Sequence, residues 1–259
     1  MKPSIIQCTT LKKSTIAEYL QILGSALSIL NQNCYIRSLH SSGMNAVNVV
    51  RQTIETYDKI ASHYCKKTRQ SQFLEWEETY IQRLLSYIPQ SDPVILDVGC
   101  GDGRHCVLIE KNGGKALGID LSIGMLKEAQ TYYPQGDFQR MDMCNLLFND
   151  NTFDGIWSSG SIYHVPKSEV RKVIKEFKRV LKPTGVVAVN FKRGKGEGLE
   201  ENPASYGGSP RYFAYYTIQE MISLFSKEGF DVVESCTYPE EIFGDTIQQM
   251  WFTLKEHKA

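Results

Sequence analysis

VILDVGCGDGR, residues 94–104, runs from an apolar strand pattern (Val94, Ile95, Leu96, Val98) straight into glycines at Gly99, Gly101 and Gly103. A helix-like pattern resumes from Arg104 to Glu110. A strand that passes through a glycine-rich turn into a helix presents backbone N–H groups to a ligand, with no Cβ in the way. Many nucleotide-binding folds use such a turn, so the ligand has to be read from the rest of the chain.

Outward from this turn the chain alternates. Lys115–Asp120 reads as a second strand ending in an acid, Ile123–Tyr132 as a helix, Asp137–Met141 as a short third strand and Phe153–Ser158 as a fourth. In Glu169–Leu181 the residues Val170, Val173, Ile174, Phe177, Val180 and Leu181 form an apolar stripe opposite Arg171, Lys172, Lys175, Lys178 and Arg179. Pro183 and Gly185 turn the chain into Val186–Asn190, a continuous apolar run of the kind buried on both faces. This rhythm predicts a parallel sheet covered by helices on both sides. Two helical segments, Asn45–Tyr64 and Phe73–Tyr87, precede the first strand, and Pro89 closes the second. A helix over Thr217–Glu228 and strands over Phe230–Glu234 and Gln249–Lys255 follow. Phe191–Tyr216 reads as a long irregular segment, and loops above about 15 residues usually carry function or mobility. Residues 1–43 read as an extension, partly helical or poorly ordered: Thr15–Asn31 has a helical period that Gly24 weakens, and Arg37–Gly43 resembles a linker. Residues 44–259 form the main domain.

The 259 residues, 42% hydrophobic and 22% charged, fit one large soluble domain or a domain with an appendage. With 29 basic and 29 acidic side chains there is no global field to attract a polyanion, so nucleic acid is not implied. No run approaches the roughly 18 apolar residues of a membrane span. Seven scattered cysteines, without CxxC or zinc-site spacing, suit reduced thiols in a cytoplasmic protein with no metal. A monomer or homodimer is expected.

A dinucleotide fingerprint wants GxGxxG, but His105 and Cys106 stand where the third close-packing glycine would fall. Asp97, inside the strand, repels a pyrophosphate and suits a cationic ligand. That tilts the balance from NAD toward a ligand with a positive centre and an ammonium group. Asp120 ends the second strand, where an acid accepts ribose hydroxyls in either cofactor class. Asp142 follows the third strand and suits an adenine amino group, with Met141 and Met143 as apolar neighbours.

With these residues in place, the chain resembles a class I S-adenosylmethionine-dependent methyltransferase of the broad ubiquinone/menaquinone-biosynthesis-like type, with a methyltransferase type 11/25 domain. The motifs that carry the resemblance are VILDVGCGDGR at Val94–Arg104, LGIDLSIGML at Leu117–Leu126, FDGIWSSGSIYHV at Phe153–Val165 and LKPTGVVAV at Leu181–Val189. It covers about Tyr57 to Leu254. It implies a Rossmann-like α/β fold whose seven-stranded, mostly parallel sheet has an antiparallel last strand and helices on both faces. The implied cofactor is S-adenosyl-L-methionine. Asp97, Gly99, Cys100 and Gly101 would shape the pocket around its methionine part, and Asp120 would take the ribose hydroxyls. Leu121 and Met125 would line the adenine or ribose side, Asp142 and Met143 would hold the adenine, and Ser158 with Ser159 would border the sulfonium. Tyr57 and Tyr64 resemble aromatic positions that close over the cofactor, Tyr64 being preferred.

Methyl transfer is an in-line displacement at a sulfonium that requires alignment, exclusion of water and, for a protonated nucleophile, loss of a proton. His164, just after the fourth strand, is the candidate general base, and Tyr163 a candidate aromatic wall for the sulfonium. In the late segment Lys192, Arg211, Tyr212 and Tyr216 are candidate contacts for a small-molecule acceptor carrying a carboxylate, a phosphate or a planar ring. A transfer-RNA or other RNA base methyltransferase, and a cofactor-binding protein without catalysis, are the alternatives.

Overall fold

The computed structural model of the protein describes residues 44–69, 71–201, 209–237 and 247–254. The expected helix over Thr15–Asn31 lies outside them. Two helices come first, α1 (Met44–Thr68) and α2 (Ser71–Ser86). They are followed by β1 (Val94–Val98), α3 (Arg104–Lys111), β2 (Lys115–Asp120), α4 (Ile123–Tyr132), β3 (Asp137–Arg140) and β4 (Phe153–Ser158). A 3-10 turn at Ile162–His164 leads to α5 (Val170–Val180) and β5 (Leu181–Lys192). Then come β6 (Glu197–Glu200), β7 (Arg211–Ala214), α6 (Ile218–Lys227), β8 (Phe230–Thr237) and β9 (Ile247–Leu254).

Seven strands form one sheet in the order β3-β2-β1-β4-β5-β9-β8. The pairs from β3 to β5 are parallel, and β9 runs antiparallel to both β5 and β8. This is the Rossmann-like α/β arrangement expected, with the last strand of the chain reversed. Alternation along the strands sorts the core into two layers. Leu96, Val98, Ile119, Ile156, Val187 and Val189 pack with Val173, Ile174 and Phe177 of α5 and Phe225 of α6. Ile95, Trp157, Val186 and Ala188 face Ile81 and Leu84 of α2 and Leu108 and Ile109 of α3. All six residues of β4 are buried, as befits a central strand covered on both faces.

The connections from β1 lead outward to β2 and β3, whereas β4 and β5 lie on its other side. The order therefore reverses between β1 and β4, and the carboxyl ends of those strands open a crevice of the kind where such sheets take ligands. The glycine turn and the segment after β4 both emerge there.

The structure corrects the reading of Phe191–Tyr216 as irregular. β5 continues to Lys192, and β6 pairs antiparallel with β7 in a separate two-stranded sheet, Glu200 facing Arg211 and Gly198 facing Phe213. Tyr212 donates its hydroxyl to Glu197, and Tyr215 donates to Glu200 at 2.5 Å, so side-chain bonds reinforce the short ladder. β5 also begins earlier than expected: Leu181 pairs with Phe153 before the register shifts and resumes at Val186 opposite Gly155. Pro183 and Gly185 sit in this irregularity, where a missing N–H costs the ladder nothing. Among the described residues no helix is long and apolar enough to cross a membrane.

Candidate functional site

The turn after β1 is built on three glycines in the left-handed region, Gly99 at φ 73°, Gly101 at 54° and Gly103 at 74°. A Cβ on Gly99 would lie 2.3 Å from Cβ of Ser161, and one on Gly103 would lie 2.5 Å from Cζ of Phe138. Both conformation and space thus require glycine. The amides of Gly99 and Cys100 donate to the carbonyl of Ile119 at 2.8 and 2.9 Å, which ties the turn to β2.

Asp120, at the end of β2, is held at both oxygens. The Gly101 amide donates to Oδ2 at 3.0 Å and the Ser122 amide to Oδ1 at 2.8 Å. Burial raises its pKa, and these amides oppose the rise by favouring the ionised form. Asp97 lies deeper and is fully buried. Its Oδ2 accepts the Cys106 thiol at 3.4 Å, and its Oδ1 has no hydrogen-bond partner among the described residues. Burial pushes this carboxyl up to about 6, with the His105 charge opposing. Asp142 accepts the Cys144 amide at 2.9 Å, and burial raises its pKa too.

An ionic cluster fixes the turn from behind. Asp102, fully buried, receives Arg69 Nε at 2.8 Å and Arg104 Nη1 at 3.1 Å. Arg104 also forks onto Glu77, with both nitrogens at 3.0 Å. Burial would raise the Glu77 carboxyl, but Arg104 and His105 hold it well below the usual range.

Helix α1 roofs the crevice. Asp58 accepts Ser122 Oγ at 2.6 Å and the Gly124 amide at 2.7 Å. On the other side Thr53 accepts the Tyr212 amide at 2.9 Å, and Thr56 donates to the Pro210 carbonyl at 2.6 Å. Ala61, Cys65 and Met125, with Tyr57 and Tyr64, form a small apolar cluster between α1 and α4.

The segment after β4 is clasped by Asn190, whose Oδ1 accepts the Gly160 amide at 2.7 Å and whose Nδ2 donates to Ser159 at 2.7 Å. Ser161 Oγ lies 2.7 Å from the Val98 carbonyl and 2.8 Å from Ser158 Oγ. A carbonyl only accepts, so Ser161 donates to Val98 and Ser158 to Ser161. His164 follows, both ring nitrogens engaged: Nδ1 lies 2.6 Å from the Tyr212 carbonyl and Nε2 2.9 Å from Tyr57 Oη. Burial pushes its pKa down to about 3, so the ring is neutral.

Tyr64, Gly99, Cys100, Gly101, Asp120, Leu121, Met125, Asp142, Met143 and His164 line one cavity, as does Ser159. Asp97 and Ser158 stand behind its wall and support it. Tyr163 lies off the wall, its ring 4.7 Å from His164 and 5.8 Å from Phe213. Lys192, Arg211, Tyr212 and Tyr216 also lie off the wall. Lys192 Nζ sits 4.2 Å over the Phe213 ring, Tyr216 is buried beside Phe191, and Tyr212 reaches the site through its backbone, the carbonyl toward His164 and the amide toward Thr53. Arg211 comes nearest, donating to Tyr57 Oη at 3.4 Å. Sequence reasoning singled out none of Arg69, Glu77, Asp102, Asn190 or Ser161. It also missed Glu169 and Pro166 of the wall, and treated Thr53 only as part of a helix.

A model of a methyltransferase domain matches residues 95–185. A putative methyltransferase of Encephalitozoon cuniculi is 27% identical over 177 residues, covering 62% of this chain and 81% of that protein. A ubiquinone/menaquinone biosynthesis C-methyltransferase of Campylobacter jejuni is 33% identical over 146 residues; the match covers 52% of this chain and 61% of the relative, less than two thirds of its length. Among solved structures, 1,6-didemethyltoxoflavin-N1-methyltransferase of Burkholderia thailandensis, with S-adenosylhomocysteine bound, superposes with a TM-score of 0.60 at 18% identity, over 78% of this chain and 88% of that one. Strand order, glycine turn and these likenesses agree: the chain has the class I S-adenosylmethionine-dependent methyltransferase fold.

Proposed function

We propose that the protein is an S-adenosylmethionine-dependent methyltransferase acting on a small molecule in the cytoplasm. The observation that carries this reading is the Asp120 carboxylate, oriented by the Gly101 and Ser122 amides at the rim of a glycine cradle. The residues present fit the cofactor. The turn leaves open the space that Cβ atoms would fill, and Oδ1 of the buried Asp97, which has no hydrogen-bond partner among the described residues, suits a cationic ligand. In this reading Asp120 receives the ribose hydroxyls. Asp142 and Met143 hold the adenine, with Leu121 and Met125 beside it. Gly99, Cys100 and Gly101 follow the methionine portion, and Tyr64 covers it.

Bound there, S-adenosylmethionine supplies an electrophilic methyl group on a sulfonium. The chain's own residues bind, orient and exclude water. The acceptor side of the cavity is walled by Val50, Thr53 and Ile54 of α1 and by Val165 and Pro166. Those walls and the absence of net charge favour a compact, largely apolar acceptor over a nucleic acid. The Campylobacter jejuni relative, by name an enzyme of quinone biosynthesis, supports a planar-ring acceptor. Arg211, within reach of Tyr57, suits a ring that carries an anionic or hydroxyl substituent. Calorimetric titration with S-adenosylmethionine tests the reading. Binding in the micromolar range is expected; binding of NAD with no response to S-adenosylmethionine refutes it.

A further inference from the structure

The hydrogen-bond polarity around His164 has a single solution. Nδ1 lies 2.6 Å from the carbonyl of Tyr212, an atom that only accepts, so Nδ1 carries the proton. In a neutral imidazole Nε2 is then a bare acceptor. The group 2.9 Å from Nε2 is the hydroxyl of Tyr57, which must donate its one proton there. Tyr57 Oη therefore has only lone pairs to offer anything else. Arg211 Nη1 takes one at 3.4 Å. Tyr57 and His164 both line the cavity, and Tyr57 Oη keeps a second lone pair for a donor placed there. Direct proton removal by His164 is closed off, because both of its nitrogens are already engaged.

We infer that Tyr57, not His164, touches the acceptor's nucleophile, and that the site selects a planar acceptor presenting an O–H donor to Tyr57 Oη. The inference rests on the methyltransferase reading and deepens it. His164 is a positioning residue: with the Tyr212 carbonyl behind it, it fixes which way the Tyr57 hydroxyl points. During transfer the acceptor oxygen bonds to the methyl carbon and the C–S electron pair stays on sulfur. The proton of that oxygen passes to Tyr57 Oη, and the proton of Tyr57 passes to Nε2, while Nδ1–H stays on Tyr212. Burial makes the imidazole a weak base. It accepts the proton of an oxygen that has become positively charged, so proton loss accompanies or follows C–O bond formation.

Phenol and anisole differ by the donor hydrogen and are tested as probes on protein saturated with S-adenosylhomocysteine. The wild type is expected to bind phenol about 2- to 12-fold more tightly than anisole, the range of one net hydrogen bond. Tyr57→Phe removes the acceptor atom but keeps the ring, and is expected to bring the ratio to about one on protein still saturated with S-adenosylhomocysteine. Nitrogen-15 shifts of His164 are expected to show the neutral Nδ1–H tautomer at pH 6. Equal wild-type affinities, no binding of either probe, a ratio that survives Tyr57→Phe, or an Nε2–H tautomer each overturn the inference. Failure of the wild type to bind S-adenosylhomocysteine at all instead overturns the methyltransferase reading.

Discussion

Replacing Asp97 by Asn removes a charge from one of the most enclosed positions in the protein. Its carboxyl is fully buried, and burial raises its pKa from 3.8 to about 6. A carboxyl whose folded pKa lies above its unfolded value is no burden below the unfolded pKa. Its cost to stability develops as pH rises from there and is complete above the folded pKa. At about 1.4 kcal/mol per tenfold, those two values put the cost near 3 kcal/mol at pH 8 and about 1.6 kcal/mol at pH 5. Asparagine keeps an acceptor for the Cys106 thiol but places an N–H where Oδ1 was, which returns part of the gain at every pH. The difference between the two pH values is free of that offset. The Asp97→Asn stability gain in urea, without ligand, should therefore be larger at pH 8 than at pH 5 by about 1.4 kcal/mol. The same variant should lose affinity for S-adenosylhomocysteine, which carries an ammonium group, and keep its affinity for adenosine, which does not. A gain that stays flat with pH, or that is larger at pH 5, refutes the account of Asp97 as a buried carboxyl that is driven to ionise as pH rises between those values.

Asp120→Ala removes the acceptor of the Gly101 and Ser122 amides and should weaken S-adenosylmethionine binding at least about 10-fold by calorimetry. Gly99→Ala puts a Cβ 2.3 Å from Cβ of Ser161 at a positive φ, so thermal unfolding should show a loss of about 1–3 kcal/mol. Arg104→Met strips Glu77 of its guanidinium and leaves Asp102 with Arg69 alone, and chemical denaturation should register about 3–5 kcal/mol lost. Arg211→Ala should raise the acceptor's KM several-fold with cofactor affinity unchanged; loss of cofactor affinity instead would move Arg211 to the donor side.

The centre of the sheet was legible because β4 and the Val186–Phe191 part of β5 are runs buried on both faces, β4 along its whole length. The glycines, Asp120 and Asp142 were legible as cavity-wall residues because they sit within a few residues of a strand end, where sheets of this kind take ligands. The β6–β7 hairpin was not. Glu197–Glu200, with two glutamates and a glycine, has no strand propensity of its own and is ordered by its partner Arg211–Ala214. The start of β5 at Leu181 was hidden by Pro183, which reads as a break and is tolerated in a bulge. The pairing of Tyr57 with His164 spans 107 residues and that of Arg69 with Asp102 spans 33, and no local pattern announces such contacts. Lys192, Tyr212 and Tyr216 drew attention by composition. Long-range contacts that sequence alone does not reveal take their side chains off the cavity wall: Lys192 lies over the Phe213 ring, Tyr212 donates to Glu197, and Tyr216 is buried beside Phe191.

Helix α1 is fastened to α4 through Asp58 and to the hairpin side through Thr53 and Thr56. It lies wholly outside the segment 95–185, which holds the glycine turn, Asp120, Asp142 and His164. On the proposed function, the acceptor-side residues of α1 and the hairpin beyond β5 thus flank this segment in the chain, one before it and one after, with Val165 and Pro166 inside it. On the proposed reaction this separates two kinds of inheritance. Exchanging the flanks as a matched cassette that keeps Tyr64 of α1 retunes what is methylated, and the middle keeps its grip on the donor. Exchanging one flank alone breaks the fastening across the roof, so the two ends must change together.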